Sequence, residues 1–355
     1  MKYEKQVVII GGGLSGLTLA YLLSKQNIKA TILEAAQRWG GRIQTVRGKN
    51  DTPLELGATW FSDMHPNLIS LIDDLGLKRF PQFSKGISLF QTKSFEPPQE
   101  FFVPEAETPS YRIAGGTQML TDSLVAKLSQ ENLQLNTKAV SIKQTERALV
   151  VETEDGTLLS ASHVAICIPP QLAAQTIRFD PVLPFNLCEV LPTVQTWMAG
   201  AIKFVLEYDT PFWRNNGYSG MLYSHAGIIV EMYDHTNAEQ NRFGFTGFLN
   251  ASAAAYTYEV RREYTLRQLT ELMGENASNP LTYHDKIWNE EYLIAGNPII
   301  MRPHQNNGHP FLQESYMEDR LHFCNTETAT EFAGYMEGAV VAARSLSEKM
   351  PAQYN

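Results

Sequence analysis

Apolar positions begin with Val7-Val8-Ile9-Ile10, an uninterrupted, mostly β-branched run that predicts a buried parallel strand. It runs straight into Gly11-Gly12-Gly13-Leu14-Ser15-Gly16. Beyond the glycines, Leu14, Leu17, Ala20, Tyr21 and Leu22 form the apolar stripe of a predicted helix. Ala30-Thr31-Ile32-Leu33 then predicts a second strand, ending at Glu34. Asn136 to Val151 alternates like a strand pair, and Ala201 to Leu206 reads as a strand buried on both faces. From about Ala253 to Met273, with Gly274 as the stop, an amphipathic helix is predicted through Tyr258, Leu266, Leu269 and Leu272.

The first of these segments carries chemistry. Gly11, Gly13 and Gly16 satisfy the spacing GxGxxG: a tight turn, a close backbone approach to a pyrophosphate, and close helix–strand packing. Helix amides beyond Gly13 aim at the phosphates. Glu34 stands 18 residues past Gly16, where a carboxylate holds ribose hydroxyls. Strand, glycines, helix, strand and acid in this order predict a dinucleotide-binding unit, with NAD and FAD equally open.

Composition narrows the class. The 355 residues, 43% hydrophobic and 19% charged, suit a globular chain of about two domains. A net charge of −9 argues against nucleic acid and anionic membrane as partners. Cys167, Cys188 and Cys324 form no CxxC, so free thiols in a reducing compartment are expected. The first apolar run is too short for a signal peptide and no stretch reaches a membrane span, which makes the cytoplasm the expected location. The eight histidines show no metal-ligand spacing, and His304 and His309 fall in a Pro/Asn/Gly loop read as surface or turn.

The segment Glu34-Ala35-Ala36-Gln37-Arg38-Trp39-Gly40-Gly41-Arg42 resembles the second glycine motif of the flavin-containing amine oxidase family, which includes monoamine and polyamine oxidases. The resemblance implies FAD, with Gly40 and Gly41 passing close to it and Arg42 at its phosphate–ribityl region. Ala36 departs from the pattern, since monoamine oxidases carry an arginine there. Leu56-Gly57-Ala58-Thr59-Trp60 looks like the family's next flavin-contacting loop, with Trp60 in place of an active-site tyrosine.

Likeness continues through Arg112-Ile113-Ala114-Gly115-Gly116-Thr117, which opens a second helix. Val140 falls where the family's backbone faces the adenine, and Ala165 to Pro170 matches the strand closing the nucleotide domain. Asp319 to Thr328 and Gly334-Tyr335-Met336-Glu337-Gly338-Ala339-Val340 are very close to the monoamine oxidase C-terminal motif. The resemblance therefore adds Asn325, Thr326, Glu327, Gly334, Tyr335, Met336 and Ala339 to the cofactor set. Asn325 departs where that family has glycine. By the family pattern, the helix after Gly334 points its N-terminus at the flavin pyrimidine.

A lysine inside an apolar strand is unusual, and alone it reads as a side chain that snorkels to the surface. The segment Glu207 to Arg214 resembles the one that trails the family's active-site lysine, so Lys203 is expected to hold a water against flavin N5. Lys286 precedes Trp288, a cofactor-site candidate, and is itself expected to be solvated. Tyr335 matches one wall of the family's aromatic cage. Ungapped counting from Trp288 puts Pro298 at the other wall, so Trp60, Tyr292 or Trp197 are candidates to replace the lost ring. Asn297 stands where monoamine oxidases bear the cysteine bonded to FAD, which makes the attachment non-covalent.

The expected fold is α/β: a Rossmann-like FAD-binding domain of the p-hydroxybenzoate hydroxylase/amine oxidase type, and a smaller α+β mixed-sheet substrate domain. Residues 1–79, 115–192 and 291–355 are assigned to the first, 80–114 and 193–290 to the second. Only Val103 to Tyr111 spans the place where monoamine oxidases insert a long helical segment, which predicts an open site or one completed by another subunit. The implied reaction passes a hydride equivalent from a small-molecule amine to flavin N5, with oxygen as final acceptor and hydrogen peroxide as product. Two alternatives are a renalase-like oxidation of dihydronicotinamide-type compounds and a non-catalytic flavin scaffold.

Overall fold

The computed structural model describes residues 6–289 and 304–354. Its first sheet has six strands, in the order Ser315–Tyr316, Leu321–Phe323, His163–Ile166, Gln6–Ile10, Lys29–Leu33 and Leu133–Gln134. All pairings are parallel except the outermost, between Ser315–Tyr316 and Leu321–Phe323. Strand Gln6–Ile10 lies in the middle, as its unbroken apolar run requires. Val7 and Ile9 pack on one face with helices Leu14–Lys25 and Met336–Tyr354, while Val8 and Ile10 enter a separate core on the other. Those two helices pack against each other, with Ser15 Oγ donating to Ala339 O at 3.2 Å.

Seven strands form the second large sheet, ordered Thr282–Ile287, Ile202–Tyr208, Phe243–Leu249, Ile229–Asp234, Tyr218–Ser224, Gly86–Gln91 and Gln99–Val103. Its pairings are antiparallel except between Tyr218–Ser224 and Gly86–Gln91. Every residue of Ile202–Tyr208 is buried. Ile202, Phe204, Leu206 and Tyr208 face a core that includes Leu266 and Leu269 of helix Tyr258–Met273, whereas Val205 packs on Leu54 and Leu56. Alternation therefore turns Lys203 toward the loop after the Pro53–Glu55 strand and Glu207 toward the segment before it.

The amphipathic helix is shorter than its pattern suggested. Ala251–Ala255 is a 3₁₀ turn, and Thr257, accepting from Val260 N, caps a helix that starts at Tyr258. Strands Ala139–Gln144 and Leu149–Thr153 realise the predicted pair, with a bulge between Ala139 and Ser141 at Val140. Among the described residues no helix is long and apolar enough to cross a membrane.

Candidate active site

The glycine loop forms one wall of an elongated cleft. Gly11 N donates to Leu33 O at 2.8 Å, so the loop crosses directly over the tip of the sheet. A methyl on Gly16 would stand 2.0 Å from Gly11 O, which explains the third glycine. One on Gly13 would meet no protein atom within 4 Å, because that backbone borders open cleft. Glu34 closes the turn rather than reaching freely into it: its carboxylate accepts from Gly12 N at 2.6 Å and Ala36 N at 2.8 Å. Burial raises its pKa, against the pull of those two amides.

From Glu34 and Ala35 the cleft extends one way past Thr137, Lys138 and Ala139, and the other way past Gly40, Gly41 and Arg42 to Asn325, Thr326 and Gly334. Leu14, Ser15, Ala58, Met336 and Ala339 line its middle. Val140, the bulge residue, is not among the lining; its neighbour Ala139 is. The cradle fits a dinucleotide: open backbone at Gly13, a buried acid at the strand end, and a helix N-terminus behind the loop. Asn325, almost fully buried, turns its Nδ2 to Ile168 O at 3.0 Å and so fits its side chain into the cleft wall.

Arg42 does not point freely along the cleft. Its Nη1 and Nη2 donate to the two carboxylate oxygens of the fully buried Glu327, at 2.6 and 3.1 Å. Arg38, which the motif did not single out, donates to the carbonyls of Gly41 and Ile43 at 2.5 and 2.8 Å and fixes the same turn. Thr326 Oγ1 donates to Tyr335 O at 2.7 Å and accepts from Gly334 N, which closes the loop before the last helix.

Arg42, Ala58, Gly334, Tyr335 and Met336 also line a chamber of about 510 Å³ that opens from the cleft. Its walls include Trp60, Trp197, Phe248, Leu249 and Trp288, and Lys203 stands among them. Lys203 is 3% exposed, so it does not snorkel. Its Nζ donates to Gly57 O at 2.7 Å and to Thr59 Oγ1, and lies 4.9 Å from the Trp60 ring centroid. Burial pushes its pKa down to about 7, against the opposing charge of Glu55, with Arg112 adding to the depression.

The polar groups behind Lys203 come from distant segments. Glu55 accepts from Thr117 N at 2.5 Å, and burial raises its pKa. Arg112, equally buried, is lowered to about 10 by desolvation, opposed by Asp234 and Glu55. His235 Nε2 accepts from Glu55 N at 3.2 Å, and burial holds the ring neutral.

One expectation needs correction. Lys286 is not solvated: it is half-buried, donates to Gln44 Oε1 at 2.6 Å and lies 4.2 Å from the Trp288 centroid. It neighbours Lys203 across the sheet, so the same face covers both. His304 lies in a turn as expected, and its ring also stacks on Tyr335 at 5.9 Å and touches Trp197 at 5.0 Å. His309 caps the short 3₁₀ helix Pro310–Leu312, accepting from Phe311 N at 3.2 Å.

Trp288 is buried and donates to Leu56 O at 2.8 Å, pinning the loop that runs on to Trp60. Trp197 meets Tyr335 at 4.5 Å between centroids, so these two rings form one wall in mutual contact. Trp60, whose Nε1 donates to Gln82 Oε1 at 2.9 Å, is a separate element of the chamber. Tyr292, Asn297 and Pro298 lie outside the described residues.

A dinucleotide cleft opens onto a buried lysine in an aromatic chamber, the setting of a redox enzyme. The chain belongs to the flavin containing amine oxidoreductase family, whose model matches residues 14–105 and 87–350, and its cofactor is FAD. It is 25% identical to the probable flavin-containing monoamine oxidase A of Dictyostelium discoideum, over 97% of each chain. It is 24% identical to the flavin-containing amine oxidase B of Homo sapiens, over 99% of this chain and 86% of that one. The Dictyostelium alignment runs over 448 positions, more than this chain's 355 residues, so segments of that relative have no counterpart here. The fold matches solved structures of a putrescine oxidase bound to putrescine (TM-score 0.84, 21% identity, 98% of this chain and 99% of that one) and of the cyclohexylamine oxidase of Brevibacterium oxydans (TM-score 0.84, 20% identity, 98% and 100%).

Proposed function

We propose that the protein oxidises a small-molecule amine at the carbon bonded to nitrogen, with oxygen as final acceptor and hydrogen peroxide as co-product. The observation that carries this reading is Lys203: a lysine buried in an aromatic chamber that is continuous with the dinucleotide cleft. FAD, when bound, supplies the two-electron acceptor at N5 of its ring.

Lys203 is suited to hold a proton at Nζ. With a pKa near 7 it is partly neutral at neutral pH, and a neutral amine still has two N–H groups for Gly57 O and Thr59 Oγ1. The neutral amine also carries a lone pair that can accept a proton or a hydrogen bond. An alkylamine titrating like a lysine must lose a proton before oxidation, which costs about 4 kcal/mol at neutral pH. The tryptophans, Phe248 and Tyr335 reduce that cost by excluding water. Tyr335 and Trp197 position the amine from one side, and Trp60 takes the place of the absent second ring.

Gly11, Gly13, Gly16, Glu34, Ala35, Gly40, Gly41 and Asn325 are assigned to hold the cofactor, without a covalent bond because Asn297 replaces the linking cysteine. The division into an FAD-binding unit (1–79, 115–192, 291–355) and a substrate unit (80–114, 193–290) is supported by sheet membership. The six-stranded sheet draws on the first set and the seven-stranded sheet on the second. The short Val103–Tyr111 connection favours an open mouth.

Product analysis tests the reading. Aerobic turnover of an amine panel should release aldehyde and hydrogen peroxide in equal amounts. Aldehyde without peroxide would replace oxygen as the acceptor, and no amine loss would refute the proposal.

A further inference from the structure

Two cysteines sit side by side at the wall of the dinucleotide cleft. Strands His163–Ile166 and Leu321–Phe323 run parallel with Ile166 opposite Phe323, so the next residues, Cys167 and Cys324, stand opposite each other. Cys324 N donates to Ile166 O at 2.8 Å and Cys167 N to Ile10 O at 2.7 Å, which carries the sheet through both positions. Alternation sends Ile166 and Phe323 into one core and both cysteines into the other, so the two thiols share a face. Neighbouring strands lie about 4.8 Å apart, inside the Cα separation of about 4.4–6.8 Å that a disulfide spans.

The two thiols differ in access. Cys324 is almost fully buried, whereas Cys167 borders the cleft beside Gly11, Ile168 and Asn325. Burial, and then the adjacent Cys324 thiol, raise the Cys167 pKa well above the ordinary 9.0, so Cys167 is protonated at neutral pH and reacts slowly. Burial alone is met by any small apolar side chain; two sulfurs in register at a cleft wall add a reaction that alanine lacks. Cys188, the third cysteine, packs at the other core and donates to Leu183 O at 3.4 Å.

We propose that Cys167 and Cys324 are a peroxide-sensitive pair: hydrogen peroxide entering the cleft joins them in a disulfide, and bound FAD shields them from it. Cys167 Sγ, having lost its proton, attacks one peroxide oxygen; the O–O bond breaks and leaves a sulfenic acid and water. Cys324 Sγ then attacks the Cys167 sulfur, the S–O bond breaks, and a second water leaves. The two thiols give up two electrons and two protons, and the peroxide is reduced to two waters.

Hydrogen peroxide added to the holoenzyme and to the FAD-stripped chain tests this, in wild type and in Cys188→Ala. Thiols are counted after denaturation, beside a peptide map made without reductant. Because the peroxide is added, the result is separate from the amine-oxidation reading. Without FAD, two thiols should be lost together, the Cys167 and Cys324 peptides should be joined with the loss of two hydrogens, and reductant should restore both. Saturating FAD should slow that loss by at least about tenfold. Cys324→Ala should stop Cys167 at the sulfenic acid, trapped by dimedone; if that variant does not fold, the wild-type peptide map decides. Sulfinic or sulfonic acid at Cys167 with no joined peptide overturns the proposal, as does an equal rate with and without FAD, or no loss of these two thiols.

Discussion

Lys203 Nζ donates to the carbonyl oxygen of Gly57 across 2.7 Å, tying the second strand of the seven-stranded sheet to the loop that borders the dinucleotide cleft. Through this contact and its partner at Thr59, one side chain joins the chamber to the cofactor wall.

Lys203→Met removes the proton-holding atom while keeping the packing. Turnover should fall about a hundredfold or more with FAD still bound. Wild-type turnover should rise between pH 6 and 8, as Nζ loses its proton near 7, and this inflection should vanish in the variant. Stability carries the same signature. Between about 7 and the ordinary 10.5 the unfolded chain holds a proton that the folded one does not, so stability rises with pH across that window. The melting temperature of Lys203→Met should lack that rise and exceed wild type most at and below pH 7. Kinetics indistinguishable from wild type would remove Lys203 from the mechanism.

Gly13 and Gly16 should separate binding from folding. Alanine at Gly13 meets no protein atom, so the apoprotein should keep its stability within about 0.5 kcal/mol while FAD binds at least tenfold more weakly. Alanine at Gly16 collides with Gly11 O and should destabilise the apoprotein itself by about 1–3 kcal/mol. Calorimetry of the apoproteins and FAD titration read the two effects independently. Equal FAD affinity in Gly13→Ala and wild type would contradict the placement of the pyrophosphate.

Arg42 and Glu327 are joined by two hydrogen bonds, and the Glu327 side chain is inaccessible to solvent. Arg42→Met should cost about 3–5 kcal/mol by stranding a buried carboxylate. Adding Glu327→Gln should recover part of that loss, since the stranded charge is gone. A double variant no more stable than Arg42→Met would show that the pair does not couple.

The features legible in the sequence are the local ones. Strand Gln6–Ile10, the glycine loop, its helix and Glu34 announce themselves within about thirty residues, because tight turn, packing and charge must follow one another in order. Lys203 stood out because a charge inside Ala201–Leu206 contradicts its neighbours. What stayed hidden depends on register between distant strands. Glu231 reads as an ordinary charge on a strand until the register sets it across Phe248 from Lys203, in the lining of the same chamber. Arg42 and Glu327 are 285 residues apart, and the motif gave each a cofactor role without showing that they bind each other. Lys286 looked solvated because periodicity does not show that Gln44 and Trp288 cover it. His304 looked like a turn residue, and it is one; its stacking on Tyr335 arises from the tertiary fold.

The most direct measurement is anaerobic mixing of the FAD-loaded protein with amines on one side and dihydronicotinamides on the other, followed through the visible absorbance of the oxidised flavin. Bleaching by amines, slowed in Lys203→Met, is the expected result. Bleaching by dihydronicotinamides alone, or by neither, would contradict it.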